Sequence, residues 1–214
     1  MEVSRPMRVV TAALDGDLLV VLAGADAAFT GRQLARLVGS SGEGARKALT
    51  RLVAQGIVKQ EQAGAAHMYR LNRDHLAVPA ILALTGLRST LLERLRSAFA
   101  HWQPQPGYAA LFGSVARGED RIDSDLDICV VRPDHVAADD GAWRRQVAGL
   151  ETDASAWTGN DARVLELSGS DMQAAGASVV DDVLRDGIAL AGDPAALRRL
   201  RTADRRTRRV PSGG

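Results

Sequence analysis

The chain of 214 residues has one cysteine, Cys129, so it can form no internal disulfide and no thiolate-rich zinc site. Its four histidines, His67, His75, His101 and His135, are scattered and make no helical metal-ligand pair. Aromatic residues are 4% of the chain, too few for a base-stacking platform of Phe and Tyr. No apolar run approaches the roughly 18–20 residues of a membrane span. Leu18–Ala25 is apolar but short, and Asp15 and Asp17 interrupt what precedes it, which argues against a signal peptide. The expectation is a soluble, cytoplasmic protein with no membrane partner. What is present is ordinary for a globular chain: 46% hydrophobic and 25% charged residues, enough for a core. The length suits one large domain or two small ones.

The net charge of +1 hides a segregation. Residues 1–76 carry net +3, residues 77–100 net +2, residues 101–192 net −9 and residues 193–214 net +5. Positive charge favours nucleic acid, and clustered carboxylates favour a hard cation. Such a division predicts parts with different partners.

The first part reads as helices followed by a hairpin. Val9–Ala23 has helical composition around Leu14, Leu18, Val21 and Leu22. Thr30-Gly-Arg-Gln33 matches a capping box and opens a short helix with Leu34, Leu37 and Val38. Ser40-Ser-Gly-Glu43 reads as a second box. It opens a helix on which Ala45, Ala48, Leu49, Leu52 and Val53 form one apolar stripe. Gly56 follows as a helix stop, and Val58–Gln62 and His67–Leu71 flank a turn at Ala63-Gly64-Ala65. This order over residues 29–72 resembles the winged helix-turn-helix of bacterial regulators of the MarR and ArsR type. The resemblance implies a recognition helix that presents Arg46, Lys47, Thr50 and Arg51 to double-stranded DNA. So few cations on one face imply a homodimer as the binding unit. A dimerisation or protein-docking module is the other reading of the same elements.

Residues 75–101 read as one long helix or two short ones broken at Gly86, a connector with a broad apolar face. Trp102-Gln-Pro-Gln-Pro-Gly107 then ends it, which places a domain boundary near residue 100.

Chemistry concentrates after that boundary. Tyr108–Phe112 is a short apolar strand that runs into a Gly113-Ser114 turn. Amides exposed at such a turn can cradle phosphate oxygens, and glycine lets the backbone approach closely. Ser114 adds a hydroxyl and Arg117 a forked cation suited to phosphate. Ser124 leads into a second strand, Asp125–Val131. Asp125 and Asp127 are two apart, so both face one side, while Leu126, Ile128 and Val130 pack on the other. Two such carboxylates repel each other unless a cation sits between them. Mg²⁺ carrying a triphosphate is the natural occupant, and Mn²⁺ satisfies the same donors.

The stretch LFGSVARGEDRIDSDLDICVV resembles the signature of the polymerase β-type nucleotidyltransferases, and its Ala-Arg-Gly and Ser-Asp-Leu-Asp spellings resemble the minimal branch of that superfamily. The resemblance implies that Asp125 and Asp127 bind the metal and orient a nucleoside triphosphate. Gly113, Ser114, Arg117 and Ser124 would form the nucleotide-binding turn. An acceptor hydroxyl would attack the α-phosphate, with pyrophosphate leaving. It also implies a third carboxylate on a later strand, here Arg163–Leu167. Glu166 is the first choice and Asp161, just before the strand, the second. Where the commonest spelling has an acid, this chain has Arg163.

Ala142–Trp157 reads as a helix with Trp143, Val147, Leu150 and Ala154 turned to the core. Ser178–Asp186 reads as another, and Ile188–Ala191 as a short apolar segment. Cys129 reads as a buried small hydrophobe rather than a nucleophile.

The sequence therefore reads as an α+β chain. A winged helix-turn-helix spans 1–76 and a helical connector 77–103. A polymerase β-like nucleotidyltransferase domain with a small mixed sheet spans 104–197, and an Arg-rich, disordered tail 198–214. Its expected function is Mg²⁺-dependent transfer of NMP from an NTP to a hydroxyl of a protein, a tRNA or a small molecule, coupled to DNA binding. The alternatives are a DNA-binding regulator whose second domain senses nucleotide without turnover, and an interaction module of a toxin–antitoxin pair.

Overall fold

The computed structural model describes residues 1–169, 171 and 177–195. The Arg-rich segment 198–214 lies outside the described residues. Contacts divide the chain into two compact units, Glu2–Ser89 and Thr90–Gly214, the latter joined by Met1.

The first unit opens with a 3-10 turn, Pro6–Val9, and α1, Leu14–Ala23. The helix expected from Val9 thus starts five residues later. Thr11 accepts the Ala13 amide at 3.1 Å and keeps the intervening chain out of the helix. A two-residue strand β1, Phe29–Thr30, leads directly into α2, Gly31–Leu37. The expected capping box is present. Thr30 Oγ1 accepts from the Gln33 amide at 3.2 Å, and Gln33 Oε1 accepts from the Thr30 amide at 2.8 Å.

Helix α3 spans Gly42–Ala54. Its cap is Ser41, which accepts from the Gly44 amide at 3.1 Å, and not Ser40. The second capping box is therefore absent. The chain enters the helix one residue later, and Glu43 pairs with Lys47 at 3.0 Å instead of reaching back. Strands β2, Val58–Ala63, and β3, Ala66–Leu71, form a hairpin about Gly64, which has the positive φ of +59° that the tight turn requires. The strand order is β1-β3-β2, all antiparallel. Leu18, Leu22, Leu34, Leu49, Leu52 and Leu71 make the shared core. Helix α4, Val78–Thr85, starts with Pro79 in its first turn, and Gly86 separates it from α5, Leu87–Ala100, so the connector is two helices.

The division between units falls inside α5. Phe99 there begins an aromatic stack, with Trp102 at 4.9 Å and Trp143 beyond it at 5.2 Å. The second unit continues with β4, Tyr108–Phe112, α6, Gly113–Arg117, β5, Leu126–Val131, α7, Gly141–Thr158, β6, Ala162–Leu167, α8, Ala177–Asp186, and β7, Ile188–Gly192. The apolar segment near the end is thus a strand. The mixed sheet has the order β6-β5-β4-β7. β5 and β6 are parallel, which requires a crossover, and α7 supplies it. β4 is central and fully apolar because it is covered on both faces. On one face Tyr108, Ala110, Cys129 and Val131 pack with Val180 and Val183 of α8. Asp127 and Cys129 lie on one side of β5 by strand alternation, so the acidic end of that strand continues this same face.

Among the described residues no helix is long and apolar enough to cross a membrane.

Candidate functional site

The site forms where β4 turns into α6 beside the start of β5. Phe112 and Asp127 are paired in the antiparallel register, so the residue after the strand, Gly113, lands against the Asp127 side chain. Gly113 has φ +74°, and a Cβ added there would stand 2.6 Å from Asp127 Oδ2. Two separate constraints therefore demand glycine, the left-handed backbone and the absence of room. The turn closes at Gly118, also at φ +74°, whose amide donates to the Ser114 carbonyl. Arg117 is held at 2.9 Å by Glu119 and faces Asp186 of α8 at 4.0 Å, and these carboxylates push its guanidinium further above its ordinary value.

Asp125 and Asp127 emerge together, as alternation requires. Burial pushes the Asp127 carboxyl above its ordinary range, the Asp125 charge pushes it further, and Arg163 opposes both. Arg163 Nη1 forms an ion pair with Asp125 Oδ2 at 2.8 Å. Arg163 also holds Asp161, through Nε at 3.1 Å and Nη2 at 3.0 Å. In the parallel register Arg163 lies directly opposite Asp127. The departure noted in the sequence is thus a group inside the site.

Ser124 does not direct its hydroxyl at this pair. Its Oγ accepts from the Arg121 amide at 2.8 Å and shapes the approach to β5. Its carbonyl accepts from Asn160 Nδ2 at 2.6 Å, and the Leu126 amide donates to the Asp161 carbonyl at 2.8 Å. Asn160, 8% exposed, fixes the loop that carries Asp125. Sequence reasoning passes over it; the one signal is a polar residue between the C-terminal glycine of a helix and a strand.

Glu166 is not at the pair. It lies opposite Val130, on the other face of the sheet, with Oε1 accepting from Arg132 Nε at 2.6 Å. Arg132 also donates to the Val136 carbonyl. The expectation that Glu166 supplies the third carboxylate is therefore corrected. From Arg163 it is an odd number of residues along a strand, so it points away.

The donor set can be tested against a metal. Among the described residues no group of three or more His, Cys, Asp or Glu side chains is placed to hold an ion. Two carboxylates with a raised carboxyl at Asp127 still suit one hard divalent ion, because a cation relieves their repulsion and Mg²⁺ commonly takes one or two carboxylates plus substrate phosphates. The residues fit an ion completed by a triphosphate and do not form a full protein cage. Cys129 takes no part: it is buried, and burial pushes its thiol up to about 12.

In the first unit, three of the four candidate DNA contacts are engaged within the chain. Lys47 pairs with Glu43 at 3.0 Å, Arg51 with Asp15 at 2.6 Å, and Thr50 Oγ1 donates to the Arg46 carbonyl at 2.9 Å. Arg46 instead lines a groove of about 790 Å³ with Arg32 and Arg36 of α2, over a floor that includes Leu49 and Tyr69. Among the described residues no carboxylate lines this groove.

A strand, a glycine turn, a short helix and a strand opening on Asp-x-Asp, within a small mixed sheet, define a nucleotide-transferring class of site. Residues 90–164, within the second unit, match the family model described as nucleotidyltransferase domain. The match ends inside β6, one residue past Arg163. Among solved structures, a chain of a toxin–antitoxin complex with AMP-PNP is similar over 55% of this chain and 86% of its own, at 17% identity and a TM-score of 0.40. A chain of the toxin–antitoxin pair MntA–HepT is similar over 56% and 86%, at 14% identity and a TM-score of 0.37. No curated protein matches the chain.

Proposed function

We propose that the second unit transfers NMP from an NTP to an acceptor hydroxyl and that the first unit, as a winged helix-turn-helix, brings this activity to double-stranded DNA. The observation that carries the enzymatic half is Gly113 pressed onto Asp127, so close that a β-carbon at position 113 would stand 2.6 Å from the carboxylate. That closeness delivers a phosphate-binding turn to a carboxylate pair. The turn admits the triphosphate, and Ser114 and Arg117 supply a hydroxyl and a cation to its oxygens. Asp125 and Asp127 hold the divalent ion that arrives with it. When bound, Mg²⁺ or Mn²⁺ neutralises charge on the α-phosphate and the leaving pyrophosphate. Catalysis is then positional and electrostatic. With Glu166 on the far face and Asp161, the second candidate acid, bound to Arg163, the proton of the attacking hydroxyl leaves to solvent. The acceptor is a hydroxyl of a protein, a tRNA or a small molecule.

Support for the DNA half is the α2–α3 pair with its β2–β3 hairpin, and the arginine-lined groove between them. Arg32, Arg36 and Arg46 have no ion-pair partner among the described residues, so phosphate oxygens meet them without first displacing a carboxylate. A homodimer would double these contacts.

A second reading is favoured by Arg163, which stands opposite Asp127 where a further acid is expected. It makes the site a nucleotide sensor that regulates DNA binding without turnover. One experiment separates the two. Each α-³²P-labelled NTP is incubated with Mg²⁺, the full chain, bulk tRNA and a cell extract, with wild type and the Asp125→Asn, Asp127→Asn double variant. Label that requires both aspartates establishes transfer and its acceptor. No label, with Mg-NTP binding intact by calorimetry, favours the sensor.

A further inference from the structure

We infer that Arg163 is a tethered cation that excludes free divalent metal from the Asp125–Asp127 pair and admits the metal only as its nucleotide complex. This rests on the nucleotide-binding reading of the site and adds an order of binding to it.

Charge sets that order. Asp125 and Asp127 face one side of β5, and the guanidinium of Arg163 is already bound to Asp125 at 2.8 Å. Its backbone lies in register with Asp127 on the neighbouring strand, so the cation shares the sheet face of the pair. Asp161 holds the same guanidinium at 3.0 Å and 3.1 Å, a second anchor outside the pair. A bare divalent ion approaching Asp125 meets a fixed positive charge and must displace it. Guanidinium does not lose its proton at any ordinary pH, so this barrier cannot be titrated away.

A metal–triphosphate complex meets the opposite field. It carries net negative charge, and the guanidinium fork suits phosphate oxygens. Arg163 can release Asp125, keep Asp161, and take a phosphate oxygen, so the cation lost by one carboxylate is replaced by the incoming ion. The Arg163 side chain is 63% exposed, which leaves it room to move and makes its pair with Asp125 weak enough to exchange. The third acid is thus replaced by a residue with a definite task. It offsets part of the charge of the carboxylate pair while no nucleotide is present and couples metal entry to substrate entry.

The test is binding, read without turnover. Full-length wild type, Arg163→Gln and Arg163→Gln combined with Asp125→Asn are titrated with MnCl₂ alone, by calorimetry and by the loss of the free Mn²⁺ resonance. The titration is repeated with Mn²⁺ and the α,β-methylene analogue of each ribonucleoside triphosphate. Glutamine keeps a polar side chain at this position and removes the charge. Arg163→Gln is expected to bind Mn²⁺ alone at least about tenfold tighter than wild type, with the gain lost when Asp125 is also changed. Wild type is expected to bind Mn²⁺ with nucleotide, and Arg163→Gln to bind that complex more weakly. Equal affinity of wild type and Arg163→Gln for Mn²⁺ alone, with matching melting curves, overturns the inference. Tighter Mn²⁺ binding by the variant with no nucleotide bound by either chain upholds the exclusion and overturns the nucleotide reading instead.

Discussion

Asp127 is under strain of charge before any ligand arrives. Burial and the neighbouring Asp125 push its carboxyl up, and Arg163 compensates only in part. A raised carboxyl means that the folded chain holds this proton more tightly than the unfolded chain. Between the unfolded value and the raised native one, the native state binds more protons, so stability falls as pH rises. The stabilising contribution is complete below the unfolded carboxylate value and is lost as pH climbs through the native value. At pH 7 without metal, ionised Asp127 therefore destabilises the fold. Asparagine keeps the shape beside Gly113 and removes the charge. Asp127→Asn is expected to melt above wild type at pH 7 in EDTA, with the gap narrowing towards pH 4. Scanning fluorimetry at the two pH values measures both. A variant that melts below wild type at pH 7 would mean that the carboxylate is already fully compensated. On the proposed reading the same residue trades stability for function, since the charge that costs stability is the one the incoming ion requires.

At the scale of elements, the site depends on a joint between α7 and β6 that carries no chemistry itself. Asn160 donates to the Ser124 carbonyl at 2.6 Å, and the Asp161 carbonyl accepts the Leu126 amide at 2.8 Å. Together they set where β5 begins and hence where Asp125 points. Asn160→Ala leaves the Ser124 carbonyl without this partner in a part-buried place, a loss of about 1–3 kcal/mol. Urea denaturation is expected to show that loss, and calorimetry a weaker Mg-NTP complex. An unchanged nucleotide affinity would show that Asp125 is positioned by β5 alone. This joint also marks where sequence reading stops. The glycine turn, the Asp-x-Asp strand, the Thr30 capping box and the Gly86 break are legible because each signal is local, within a few residues. Glu166 is misread because its side of the sheet follows from counting along β6 from Arg163. That count has meaning only once the parallel register with β5 is known. Arg163 itself is visible as a departure, but its partner is not, since Asp125 lies far away in the chain. The Ser40 and Ser41 caps differ by one residue, and which one stops the helix depends on the backbone angle at entry, which either serine spelling permits.

Over the whole molecule, charge is divided by sequence as the chemistry is. Residues 1–76 carry net +3 and residues 101–192 net −9, so a polyanion is attracted by one part and repelled by the other. On the proposed reading of the first unit, overall charge is too weak to drive DNA binding and a local cluster must. The groove of Arg32, Arg36 and Arg46 is such a cluster, because no carboxylate among the described residues lines it. Lys47 and Arg51 differ: binding phosphate means giving up Glu43 and Asp15, so each releases less net free energy on contact. Counterion release turns this difference into a measurable slope. Each phosphate contact contributes about −0.9 to the dependence of log K on log salt, so removing three contacts should flatten the slope by about 2.7 for each copy of the chain. Fluorescence anisotropy with a random duplex, across a salt series, is expected to show that flattening for Arg32→Ala, Arg36→Ala, Arg46→Ala combined. The Lys47→Ala, Arg51→Ala pair should change it less than its count of charges predicts. Should the second variant lose as much slope per residue as the first, the outer face of α3 is the contact surface and the groove is not. The slope is the right observable because it counts contacts, whereas affinity alone also registers the repulsion of the acidic unit.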